Sequence, residues 1–205
     1  MKKLYLFIFL SSFIFANKIV TMETTMGKIK LEIFSDNPTI SKTTHNFERL
    51  CEMRYYEDTK VFKIVKYNMI IAGDPTGTGK GGKSIYGGKT FDDEIDKDLN
   101  FNKEGMLAMA NIGKNKNTSQ FFITTKPTPW LNGKYTIFGR VIEGMDILYK
   151  MDSVPTNKNG KPLKNIYIKK VRVVQKKRPE NLKKVKQKKI NVSTYKESQN
   201  MAREF

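Results

Sequence analysis

The stretch Met69-Ile70-Ile71-Ala72-Gly73-Asp74-Pro75-Thr76-Gly77-Thr78-Gly79-Lys80-Gly81-Gly82-Lys83-Ser84-Ile85-Tyr86-Gly87-Gly88 decides between two unrelated folds. From Gly77 to Ser84 it satisfies the phosphate-loop pattern G-x-x-x-x-G-K-[ST] letter for letter, which alone would mean a nucleotide-binding protein. A phosphate loop must run into a helix whose N-terminal dipole faces the phosphates. Ser84 is instead followed by Ile85-Tyr86-Gly87-Gly88, which cannot start a stable helix. Met69 to Ala72 therefore reads as a strand running into a glycine-rich loop, and no nucleotide is expected as a ligand.

The segments on either side agree with a β protein. Ile19 to Thr24 and Lys28 to Phe34 alternate apolar and polar residues around Met26-Gly27, an opening β-hairpin. Pro38 to Met53 reads as a helix, with Pro38 in its first turn and Ile40, Thr43, Phe47 and Leu50 forming one core-facing stripe. Val61 to Val65, Met106 to Ala110, Gln120 to Thr124 and Thr136 to Ile142 read as short strands, and Gly144 to Met151 as a second helix. Ile166, Ile168, Val171 and Val173 mark a last strand whose alternation is interrupted near Lys169-Lys170. Many short strands with two helices argue an antiparallel barrel or sandwich whose open ends the helices cover.

A chain of 205 residues holds one such domain with an extension at each end. Met1-Lys2-Lys3, the apolar run Leu4 to Phe15 and the small Ala16 read as a cleaved secretory signal peptide over residues 1–16. That reading places the mature protein in a periplasm, where ATP is normally absent. The domain is expected over 17–174, and residues 175–205, with a net charge of +7, as a mobile or partly helical Lys-rich tail suited to anionic surfaces. The whole chain carries +18, which raises the question of nucleic acid, but 32 Lys stand against 6 Arg. Arg is the preferred residue for bidentate phosphate and base contacts, so its scarcity counts against that partner. Cys51, the single cysteine, excludes an intramolecular disulfide and a cysteine-based zinc site, and reads as a small buried apolar residue. His45, the single histidine, has no second His or nearby Cys, so no metal is expected.

Gly73 to Gly79 with Gly82-Lys83-Ser84-Ile85-Tyr86-Gly87, then Met109-Ala110-Asn111, Ser119 to Thr124, and Trp130-Leu131-Asn132-Gly133-Lys134 with Phe138-Gly139 together resemble the cyclophilin family of peptidyl-prolyl cis-trans isomerases. The resemblance spans about Ile19 to Val174 in the family's order. It implies a mainly β fold, an eight-stranded antiparallel barrel capped by two helices, acting without cofactor as a monomer on proline-containing unfolded or extended polypeptides. With the apparent signal peptide, it describes a divergent, exported bacterial member that assists folding of exported proteins.

Isomerising an X-Pro bond means crossing a barrier of about 18–20 kcal/mol set by amide resonance. The site must seat proline in an apolar pocket and favour the twisted amide, whose nitrogen has regained a lone pair. Carried over by position, the resemblance makes Phe122, Met69 and Leu131 pocket residues, and Ala110 and Asn111 the strip that pairs with substrate backbone. Gln120 becomes a polar contact and Trp130 the rim tryptophan. A gapless alignment sets Lys63 where the family has its catalytic arginine, Asn68 in place of a pocket phenylalanine, Ile71 in place of the glutamine that orients the arginine, and Tyr135 in place of histidine. A one-residue deletion would put Ile64 at the arginine position and leave no donor. The gapless version is preferred because Val61, Lys63 and Val65 would share one face of a strand. A weakened isomerase and a proline-binding module without activity both remain open.

Overall fold

The structure is a computed structural model that describes residues 17–175. The expected signal peptide over 1–16 and all of the expected tail after Gln175 lie outside the described residues. The chain opens with β1 (Lys18–Thr24) and β2 (Gly27–Ile33), an antiparallel pair whose register runs from Lys18 opposite Ile33 to Thr24 opposite Gly27. Thr24 Oγ1 accepts the Met26 N–H at 3.1 Å and donates to the Gly27 carbonyl at 2.7 Å, so the turn is Thr25-Met26, one residue earlier than expected. Val20, Met22, Ile29, Leu31 and Ile33 point inward from this hairpin.

Asn37 Oδ1 accepts the Thr39 N–H and caps a single 3-10 turn, Pro38–Ile40, which leads into α1 (Ser41–Glu52). Two of the unpaired N–H groups at the start of α1, those of Lys42 and Thr43, donate to the Glu94 carboxylate, an anion placed where the helix dipole favours one. The predicted stripe holds: Ile40, Thr43 and Phe47 are fully buried and Leu50 nearly so. Cys51 is buried among them, and burial pushes its thiol well up. His45 is exposed.

The remaining strands are β3 (Thr59–Lys60), β4 (Lys63–Val65), β5 (Met69–Ala72), β6 (Met106–Met109), β7 (Phe121–Thr124), β8 (Ile137–Glu143) and β9 (Tyr167–Gln175), with α2 (Met145–Ser153) between the last two. They form one antiparallel sheet in the order β3-β9-β1-β2-β8-β6-β7-β5-β4. Its two edge strands, β3 and β4, are consecutive in the chain and separated only by Val61 and Phe62. The Val61 N–H donates to Ile166 on one edge and the Phe62 N–H to Ile71 on the other. The sheet thus curls until both edges meet in one extended segment, so β3 and β4 together act as the eighth strand of the expected barrel. In β9, Lys170 pairs with Glu23 and Ile168 with Thr24, so the interruption read at Lys169-Lys170 is a β-bulge. β9 carries the sheet to Gln175, just past the domain boundary expected at Val174.

The break at Val61-Phe62 corrects one expectation. Val61 and Ile64 both point into the main core, at 5% and 2% exposure, while Lys63 points out. Val61 and Lys63 therefore do not share a face, because the strand changes phase where it passes from one sheet edge to the other.

The strands β5, β6 and β7 are apolar on both faces for a structural reason. Ile70, Ala72, Leu107, Met109, Phe121 and Ile123 enter the main core beneath the helices. Met69, Ile71, Ala108 and Phe122 point the other way, into a smaller cluster with Phe101 and Ile137.

Candidate active site

The smaller cluster is where the expected pocket residues meet. Phe122 from β7 is its floor, at 2% exposure. Met69 from β5, Leu131 from the 3-10 turn Pro129–Leu131, and Tyr135 pack around it, each half-buried. Phe101 stacks on Phe122 with ring centroids 5.7 Å apart, and Tyr135 meets Phe122 edge-on at 5.4 Å. These contacts lock the ring of Phe122 and give the cluster a rigid aromatic base. Asn132 Oδ1 accepts the Phe101 N–H at 2.7 Å and the Phe101 carbonyl accepts the Thr128 N–H, so the turn carrying Leu131 is fixed to the same floor.

Cross-strand register ties a cation to this floor. Lys63 pairs with Ile71, Ile71 with Phe122, and Phe122 with Ala108, so all four side chains share one face of the sheet. Lys63 is exposed, and its ammonium makes no ion pair or side-chain hydrogen bond among the described residues. Ile64, the alternative at this position, is on the opposite face in the core. Asn68 lies in the β4–β5 turn, its amide donating to the Lys66 carbonyl at 2.9 Å, and adds nothing to the pocket.

Beside the hollow runs a cleft of about 650 Å³, lined by Lys63, Ile71, Ala110, Asn111, Gln120 and the loop from Gly77 to Lys80. The Gln120 amide is buried and donates to the carbonyls of Gly79 and Gly81, so it anchors the loop while forming the cleft wall. Asn111 donates to Asp93, and the Ala110 N–H bonds the Gln120 carbonyl. Trp130 shares the turn with Leu131 but is 57% exposed and lies outside the cluster, at most a rim residue.

Two residues were missed by sequence reasoning. Phe101 packs on the pocket face beside Ile71, and as a loop residue it carries no alternation that could reveal it. Asp74 is the second. Its buried carboxylate accepts N–H groups from Thr76, Thr78, Gly79 and Gly81 and the hydroxyls of Thr76 and Thr78. Burial pushes this carboxyl up, but the hydrogen bonds from Thr76, Gly81 and Gly79 outweigh it and leave it below its ordinary value. The signal was an Asp followed by Pro, Thr and repeated Gly, a local turn signature. The same geometry disposes of the phosphate-loop match. The amides that would cradle a phosphate already hold an internal carboxylate, and no helix follows Ser84.

A family model described as cyclophilin type peptidyl-prolyl cis-trans isomerase/CLD matches residues 19–173. A peptidyl-prolyl cis-trans isomerase-like 1 of Neurospora crassa is 51% identical over 156 residues, covering 76% of this chain and 94% of that protein. The protein of the same name from Homo sapiens is 48% identical over 149 residues, covering 73% of this chain and 88% of its own. A crystal structure of a Cryptosporidium parvum cyclophilin type peptidyl-prolyl cis-trans isomerase aligns with a TM-score of 0.73 at 42% identity, covering 80% of this chain and 99% of that one. A second structure of that protein, in the presence of the dipeptide Ala-Pro, aligns equally well.

These relatives correct the expectation of a divergent, exported bacterial member in a periplasm. The similar proteins of Neurospora crassa, mouse and human are eukaryotic, and a eukaryotic cell has no periplasm. An identity near one half is not divergence. The argument against ATP from an exported location falls with it, and the exclusion of a phosphate loop rests on the Asp74 geometry and on the absence of a helix after Ser84. On the match across residues 19–173, the curled sheet with its two helices, and relatives of this identity, the chain belongs to the cyclophilin-type peptidyl-prolyl cis-trans isomerase family.

Proposed function

We propose that the protein turns over X-Pro bonds in extended polypeptide segments, with proline seated on Phe122 between Met69, Leu131 and Tyr135. Lys63 is the electrostatic donor that favours the twisted amide, and it makes a weaker site than an arginine would. The observation that carries this reading is the register that sets Lys63, Ile71 and Phe122 side by side on one sheet face. The Ala-Pro dipeptide named with a solved relative supports a proline ligand for the hollow. Ala110 and Asn111 hold the substrate backbone along the cleft, and Gln120 keeps the cleft wall in place. Trp130 and Tyr135 bound the entrance.

An ammonium is a compact, strongly hydrated charge on a flexible stem, whereas a guanidinium offers a planar, pre-formed fork. With aliphatic Ile71 as neighbour, nothing in the pocket orients the Lys63 ammonium, so less of its stabilisation is in place when the amide twists. NMR exchange spectroscopy on an Ala-Pro peptide at substoichiometric protein tests the reading. Accelerated cis/trans exchange is expected, while shifted resonances with an unaltered exchange rate would mean a proline-binding module without catalysis.

A further inference from the structure

The cleft beside the proline pocket carries one sign of charge. Among the described residues, Lys63, Lys80 and Lys161 line it, and no Asp or Glu does. A second groove joins it at Lys63, Asn157 and Asn159, and adds Lys66 and Lys158, again with no acidic residue among the described residues. Lys66 is tied down, its ammonium donating to the carbonyls of Asp152 and Val154. Lys63, Lys80, Lys158 and Lys161 are exposed, and their ammoniums make no ion pair among the described residues. Some cations elsewhere have carboxylate partners, as Lys18 has Glu48, Lys30 has Glu143, Arg140 has Glu32 and Lys150 has Asp146, but none of these lies in the cleft. Unmatched like charges lining one concave wall focus a positive potential there.

We infer that the substrate class is acidic: proline segments with Asp or Glu within a few residues of the proline, whose carboxylates are read by Lys80 and Lys161 across the cleft from the pocket. This rests on the proposed use of the Phe122 hollow for proline. Three features single out this occupant. The cleft is continuous with the pocket face through Ile71 and Ala110, so a chain leaving the proline enters it. Its wall offers neutral amide partners in Asn111, Asn157 and Asn159 for the backbone, and ammoniums for the side chains. A basic flanking residue would meet the like charge of Lys63, Lys80 and Lys161. Exposed ammoniums gain modestly from each carboxylate, so the effect is a preference and not an absolute requirement.

The test uses matched peptides that differ only by Glu, Gln or Lys, placed before the proline in one set and after it in another. Exchange spectroscopy gives the catalytic rate and titration gives the affinity for each. In at least one set, kcat/KM and affinity should be about fivefold higher for Glu than for Gln at low salt, and lower for Lys. The preference should fade toward one in about 1 M salt. In the Lys80→Gln/Lys161→Gln double variant the Glu-to-Gln ratio should fall to near one. In a Lys42→Gln/Lys97→Gln control, with the same change in net charge at exposed sites away from the cleft, it should persist. Equal treatment of Glu and Gln in both sets overturns the inference, as does a preference that survives the Lys80/Lys161 change. If no peptide is turned over but Glu peptides still bind more tightly, the proposed catalysis fails while the acidic preference stands.

Discussion

Lys63 on β4 lies directly across the antiparallel ladder from Ile71 on β5. A residue opposite in such a pair is the nearest side chain on that face, so whatever stands at position 71 decides how the ammonium is held. Isoleucine can neither donate to it nor accept from it. Replacing Lys63 with Arg together with Ile71→Gln should supply both the planar fork and an amide to orient it. We expect kcat/KM at least about threefold above wild type for the pair, and less for either change alone, because the two act through one contact. Exchange rates on one Ala-Pro peptide for the four proteins of this cycle give the coupling.

Leu131 and Met69 are half-buried and pack against the Phe122 cluster, so their removal should not unfold the domain. In the proposed site they hold proline in the ground state and the transition state alike. Leu131→Ala and Met69→Ala should each raise KM, by about fivefold for roughly 1 kcal/mol of lost apolar burial, with kcat little changed. Steady-state kinetics separates the two constants.

Asp74 organises the loop that forms one wall of the cleft. Its carboxyl is held below the ordinary value, so its contribution to stability is complete above the unfolded value of about 3.9 and is lost as pH falls through the folded value. Asp74→Asn should lower stability at pH 7 by about 2 kcal/mol, since hydrogen bonds to a buried charge are weakened. The gap between wild type and variant should narrow below about pH 4. Urea midpoints across that range check both the size and the direction.

Gly73 and Gly88 both have positive φ, at 89° and 73°, but in different surroundings. A Cβ on Gly73 would stand 2.4 Å from the Ser119 carbonyl oxygen, and nothing lies within 4 Å of one on Gly88. Gly73→Ala should therefore destabilise by about 3 kcal/mol, and Gly88→Asn should stay within about 0.5 kcal/mol of wild type. Thermal melts of the two variants decide it.

Much of the architecture was legible because its signals are local. The stripe Ile40-Thr43-Phe47-Leu50, the first hairpin and the bulge at Lys169-Lys170 each follow from periodicity within a few residues. The pocket residues Met69, Phe122, Leu131 and Tyr135 were reached by resemblance, and the structure brings these four together. Phe101 was not legible, because it lies in a loop with no periodic signal and joins the pocket face only through tertiary packing. The break at Val61-Phe62 escaped for a related reason, because it depends on two distant strands, β9 and β5, that claim adjacent residues. Gln120 was expected to meet substrate, and its amide instead bonds Gly79 and Gly81, a loop whose path only the tertiary structure shows.

In the proposed mechanism the ammonium of Lys63 lowers the barrier to rotation about the prolyl bond. The measurement is the cis/trans exchange rate of an Ala-Pro peptide with wild type and with Lys63→Ala, alongside the peptide affinity of each. Loss of one transition-state donor should cut the catalysed rate by about 10²-fold, while affinity should change little if, as proposed, Phe122, Met69 and Leu131 hold the proline. An alanine variant that catalyses as fast as wild type would contradict the account.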